Sequence, residues 1–145
     1  MKSIGDGAFD ECSDLTSITI PGSVKSIGNG AFDECNNLTS VTISNGVTSI
    51  GNGAFNHCNL KSITIPDSVK SIGNYAFSWC FNLTNITISE GVTSIGDYAF
   101  SCCNLSSIMI PGSVKNIGDG AFDECRELTN ITISEGVTSI GDYAF

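Results

Sequence analysis

The residues best equipped for chemistry in this 145-residue chain are seven cysteines, a single histidine and a regular series of carboxylates. Six thiols, Cys12, Cys35, Cys58, Cys80, Cys103 and Cys125, recur every 22 or 23 residues. Such a series could build a metal centre or a disulfide frame. A zinc site, however, calls for closely spaced Cys pairs or matched histidines; no CxxC pair exists, and His57 has no histidine counterpart in any other copy. Stacked equivalents about 5 Å apart would satisfy disulfide distances, yet side chains in register point in parallel and not toward one another. The row therefore reads as buried free thiols acting as small hydrophobes. Cys102 stands outside it, in a column otherwise occupied by Glu11, Glu34, His57, Trp79 and Glu124. That variety predicts an outward-facing, reactive thiol.

Other patterns hint at ligands and lead elsewhere. Gly5-Asp6-Gly7, Gly28-Asn29-Gly30, Gly51-Asn52-Gly53 and Gly118-Asp119-Gly120 resemble phosphate loops but lack a third glycine and a following lysine. Tyr75, Tyr98 and Tyr143 replace the second glycine in other copies, so positive φ is not expected to be required there. The adjoining column, Asp6, Asn29, Asn52, Asn74, Asp97, Asp119 and Asp142, suits side chains that cap a turn. It alternates with neutral amides, which disfavours calcium. Paired carboxylates such as Asp10-Glu11 and Asp123-Glu124 become Asn-His, Ser-Trp and Ser-Cys in other copies and read as a solvated face. With one histidine in a variable column, serine and cysteine nucleophiles have no base, so no enzyme, cofactor or metal is expected. Fifteen acidic against six basic residues, net −9, argue against nucleic acid and anionic membranes as partners, and no apolar run is long enough to cross a bilayer.

All these groups depend on one element for their placement, a repeat. Phenylalanine in the pair Ala-Phe falls at 9, 32, 55, 77, 100, 122 and 145, in step with the thiols and with an Ile-Gly pair. Two copies are one residue shorter between Cys and Leu, as Cys58-Asn59-Leu60 shows beside Cys35-Asn36-Asn37-Leu38, which marks a tolerant surface loop. A second period of 45 alternates Pro21, Pro66 and Pro111 with Ser44, Ser89 and Ser134. Odd copies use proline for the turn that follows, and even copies use a glycine free to take positive φ. Within a copy, the pattern LxxIxI of Leu15, Ile18 and Ile20 alternates inward and outward like a short strand. Each coil is too short to enclose a core, so stacking must bury the apolar rows. The core ladders are Phe9, Phe32, Phe55, Phe77, Phe100 and Phe122, with the six thiols beside them. The outward strand positions, Ser17, Thr19, Ser40, Thr42, Ser62, Thr64, Asn85, Thr87, Ser107, Met109, Asn130 and Thr132, form ladders of small polar groups broken only by Met109.

The unit from Leu15 to Cys35, LTSITIPGSVKSIGNGAFDEC, resembles the BspA-like class of leucine-rich repeats, and the resemblance spans the whole chain. It implies a single leucine-rich-repeat solenoid over 1–145 of about six coils. By the same resemblance a parallel sheet is expected on the concave side, with short strands, turns and helical turns on the convex side; a parallel β-helix is the alternative. It also implies a non-catalytic module of a cell-surface or secreted adhesion protein. Such a module binds a protein or a glycan through the concave sheet, which the outward ladders would line, or through the flanks. The alternative role is a structural spacer presenting other domains. The chain starts at a Ser-Ile-Gly step and stops at an Ala-Phe pair without polar caps, so it is expected to be an excerpt of a longer protein or to associate end to end. Five Asn-x-Ser/Thr sequons, at Asn37, Asn82, Asn85, Asn104 and Asn130, would matter only in a eukaryotic secretory pathway.

Overall fold

The computed structural model describes residues 2–145, and among them thirteen parallel strands occur and no helix. In chain order these are β1 (Ser3–Ile4), β2 (Ser17–Ile20), β3 (Ser26–Ile27), β4 (Ser40–Ile43), β5 (Ser49–Ile50), β6 (Ser62–Ile65) and β7 (Ser71–Ile72). They continue with β8 (Asn85–Ile88), β9 (Ser94–Ile95), β10 (Ser107–Ile110), β11 (Asn116–Ile117), β12 (Asn130–Ile133) and β13 (Ser139–Ile140). Each coil thus contributes one four-residue strand from LxxIxI and one two-residue strand from the Ser-Ile or Asn-Ile step. The expected solenoid of stacked coils is what forms, and every pairing is in register with the repeat.

The two strand rows behave differently. The two-residue strands hydrogen-bond in one unbroken seven-stranded ladder, β1-β3-β5-β7-β9-β11-β13. The four-residue strands pair only as β2-β4, β6-β8 and β10-β12. At each pairing the serine after the second strand closes the ladder, as Ser44 N–H donates to the Ile20 carbonyl at 3.0 Å. At the lapses, Pro66 and Pro111 occupy that place and have no N–H to give. The same coils have the shortened loop. Where a full loop closes a turn, Leu38 N–H to Cys35 carbonyl at 2.9 Å, the short one sends Asn59 N–H to Leu38 of the coil before at 3.1 Å. The missing residue is therefore tolerated at the surface, yet it coincides with a broken ladder.

The core is one continuous column. Seven phenylalanine rings from Phe9 to Phe145 stack face to face with centroids 5.0 to 5.4 Å apart. Phe32, Phe55, Phe77 and Phe100 are wholly buried beside rows of Ile, Val, Leu, Ala and Cys. Phe9 and Cys12 are half-buried, having a coil on one side only, and Ile131, Ile133, Ile140 and Phe145 are exposed at the far end.

Two expectations about the opposite side need correction. Turns stand where helical turns were expected, because backbone donors alternate in direction. Gly30, Phe32 and Glu34 N–H groups bond the carbonyls of Asn52, Ala54 and Asn56 in the next coil, while Ala31, Asp33 and Cys35 bond back within the turn. Left-handed residues at both ends of this segment stop helix propagation. The glycine column does take positive φ, and so do the tyrosines within it: Gly30 has φ 58°, Tyr75 57°, Tyr98 53° and Tyr143 56°. Backbone bonds to the next coil, Tyr75 N–H to Asp97 and Tyr98 N–H to Asp119, each at 2.8 Å, hold two of these tyrosines in a conformation that ordinarily favours glycine. In the turns after β4 and β12, Gly46 and Gly136 have φ of 121° and 114°, but Gly91 after β8 does not share that conformation. Close approach requires glycine there, since a Cβ on Gly91 would lie 1.6 Å from the Asp67 carbonyl oxygen.

Candidate interaction surface

The outward strand positions from Ser17 and Thr19 through Asn130 and Thr132 are all exposed, with Met109 at 66%. They stand in register across the paired strands, Thr19 beside Thr42 and Met109 beside Thr132. Where the ladder lapses between β4 and β6, a shallow groove is lined by residues that include Thr42, Ser62 and Thr64. This face is polar, regular and free of charge.

The thiol column proves to be a hydrogen-bonding device as well as packing. Each Sγ–H donates to the phenylalanine carbonyl of the coil before: Cys35 to Phe9 at 3.0 Å, Cys58 to Phe32 at 3.1 Å, Cys80 to Phe55 at 3.3 Å, Cys103 to Phe77 at 3.2 Å and Cys125 to Phe100 at 3.1 Å. All seven cysteines are free. Burial pushes the Cys80 thiol up to about 12 and that of Cys125 to about 11, and raises those of Cys35, Cys58 and Cys103. Cys102 corrects the expectation of a reactive surface thiol. It is half-buried, and its pKa is raised by desolvation first and then by the nearby charges of Glu124 and Asp123. At neutral pH its thiolate is suppressed.

The Asp/Asn column caps backbone, but across coils and not within its own turn. Asp6 Oδ1 accepts from Asn29 N–H at 2.7 Å, Asn29 from Asn52 at 2.8 Å, and the relay continues to Asp119 accepting from Asp142 at 2.8 Å. From Asp6 to Asp119, each residue of the column thereby commits its Oδ1 to a donor on the next coil.

One region departs from this regularity, and the sequence reading passed over it. Tyr75, Trp79 and Phe81 are 47%, 43% and 59% exposed. They stand where other coils carry Gly or Tyr, then Glu, His or Cys, and then a small polar residue or Arg. Trp79 stacks on His57 at 5.7 Å, meets Phe81 edge-on at 5.4 Å, and Tyr75 stacks on Tyr98 at 5.2 Å. Beneath them Ser78 and Ser101 are buried and hydrogen-bonded to each other at 2.6 Å, in a column that is Asp or Asn elsewhere. The aromatics border a cavity of about 690 Å³ whose other wall is Asp123, Glu124, Arg126 and Glu127. The signal was present: Trp79 and Phe81 are the aromatic exceptions in otherwise non-aromatic or histidine-bearing columns, and they fall in the same copy as Tyr75, with His57 and Tyr98 in the copies on either side.

The repeat profile described as the BspA type leucine rich repeat region matches in six copies, over residues 2–125 and 48–145. Comparison with curated proteins finds no match. Among solved structures the chain is similar to the T. pallidum leucine rich repeat protein, with a TM-score of 0.90 and 31% identity over 97% of this chain and 67% of that one. It is similar to the pneumococcal vaccine antigen PcpA, with a TM-score of 0.83 and 29% identity over 94% of this chain and 36% of that one. A leucine rich cell surface protein from Faecalibacterium prausnitzii A2-165 aligns with a TM-score of 0.67 and 32% identity over 93% of this chain and 43% of that one. The chain thus spans less than half the length of the last two. Coil period, strand register and inner rows agree with these matches: the chain belongs to the BspA type leucine rich repeat family.

Proposed function

We propose that this chain is a non-catalytic protein-interaction module of a surface-located or secreted bacterial protein, serving adhesion. Two of the similar structures, a cell surface protein and a vaccine antigen, support that location. The observation that carries the reading is the exposed aromatic cluster of Tyr75, Trp79 and Phe81. Aromatic side chains are what interfaces enrich, and exposing them to water offers a solenoid no stability. Their fourth neighbour, Tyr98, extends the patch, while the outward strand ladders offer a second, uniformly polar contact face.

The test uses the repeat itself. Tyr75→Gly, Trp79→Glu and Phe81→Asn each install the residue that other coils carry at the same backbone position, so the variant keeps the fold. Binding of extracellular proteins to immobilised wild-type and regularised chains should differ, with bound partners lost from the regularised chain and retained by Met109→Thr. Loss with Met109→Thr alone would move the contact to the strand face. Equal binding by all three chains would favour a spacer.

A further inference from the structure

We propose that the gap above Cys102 is a slot for an arginine side chain of a basic protein segment, its guanidinium stacked on Trp79 and paired with the carboxylates opposite. This rests on the interaction reading above and names its chemistry.

The slot arises because one column holds residues of very different size. Successive members are one coil apart, and the buried rings measure that rise as 5.2 Å between Phe77 and Phe100. His57 covers one face of Trp79 at an interplanar angle of 13°. On the other side the next coil carries Cys102, whose short side chain forms a floor, and Glu124 stands one coil farther on. Twice 5.2 Å leaves about 10 Å between the tryptophan and Glu124 levels. A flat group needs ~3.5 Å to each neighbour, or about 7 Å in all, so a planar layer enters the gap with room to spare. Phe81 stands edge-on to Trp79 at 78° and lines the same cavity.

Charge selects what enters. The far wall carries Asp123, Glu124 and Glu127 against one cation, Arg126, on a chain of net charge −9. Arg126 already bridges Glu124 at 2.7 Å, which shows that this wall accepts a guanidinium. Asp123 and Glu127 have no ion pair among the described residues. A partly enclosed aromatic face opposite carboxylates favours a cation, and a flat slot favours the planar guanidinium, which stacks and forks, over a compact ammonium. Arg126 then acts as a resident competitor for Glu124.

Trp79 is the only tryptophan, so its emission reports on the slot directly. The full chain is titrated with acetyl-Gly-Gly-Arg-Gly-Gly-amide and with its lysine and citrulline counterparts. The arginine peptide should give a saturable emission change, with lysine weaker by about threefold and the isosteric, uncharged citrulline by about tenfold. Glu127→Gln should weaken arginine binding by about threefold, and Arg126→Gln should strengthen it by a similar factor. A salt increase should weaken it further. Citrulline binding as well as arginine, an unchanged affinity in Arg126→Gln, or no response up to about 10 mM peptide would overturn the assignment. Saturation by chitotriose in place of arginine would make the slot a glycan site. If arginine fails while the regularised chain still loses its partners, the interaction reading stands and only the arginine assignment falls. If the regularised chain keeps its partners, the patch itself is excluded as the contact.

Discussion

Two sets of aromatic rings climb this solenoid. The inner one is the phenylalanine stack, repeated in every coil at 5.0 to 5.4 Å and buried except at the ends. The outer one is a local cluster, Trp79 on His57 and Tyr75 on Tyr98 at 5.7 and 5.2 Å, and it remains open to solvent. The stacking geometry is nearly the same in both. The inner rings exchange water for ring and aliphatic neighbours and so stabilise the fold, whereas the outer rings stay open to water and keep most of their hydration cost. Stacking geometry alone therefore does not measure what a ring contributes to stability; solvent exposure decides it.

The strongest way to break the inner column is alkali. A thiol held protonated by burial favours the folded state fully below the ordinary thiol value. That contribution is lost as pH rises from there toward the folded value, about 12 for Cys80. Each thiol that ionises only in the unfolded chain removes about 1.4 kcal/mol per pH unit, and Cys58, Cys80 and Cys103 all have raised values. Urea midpoints under reducing conditions should fall steeply above about pH 9, and Cys80→Val should flatten that slope. The opposite trend, stability rising with pH, would show the thiols ionised in the fold.

Next in size is Phe77→Ala, which removes a wholly buried ring between two others and should cost about 3–5 kcal/mol in equilibrium unfolding. Phe145→Ala, at a position 43% exposed, should cost much less, and equal losses would deny that burial separates the two. Smaller again is Asn74→Ala. It removes the acceptor for Asp97 N–H at 2.8 Å and should cost about 1 kcal/mol, read as the same unfolding shift. The smallest effect belongs to the outer cluster. Tyr75→Gly relieves a φ of 57° and gives up one exposed ring stack, so its stability should change by only about 0.5 kcal/mol either way. A large loss there would make the outer rings part of the fold.

The period, the inner rows and the outward strand ladders were legible because equivalent residues in a solenoid share an environment, and a column of Phe or Cys needs no coordinates to read as core. The column from Asp6 to Asp142 was legible as a capping device, but its partners lie in the next coil. That Tyr75, Tyr98 and Tyr143 accept positive φ was hidden, since a tyrosine replacing glycine ordinarily argues for relaxed backbone; at Tyr75 and Tyr98 inter-coil bonds overrule that preference. Pro66 and the short loop at Asn59 were each visible; that both act on one ladder step was not.

The amino-acid order by itself determined a stack of coils of 22 or 23 residues with a phenylalanine and a thiol row inside, because no single coil could shield those side chains from water. Tertiary structure alone decided where the stack stops being uniform. Trp79, Cys102 and Glu124 lie a full coil of chain apart, and stacking reduces that separation to about 5 Å per step. Exceptions scattered along the chain thereby become neighbouring walls of one slot.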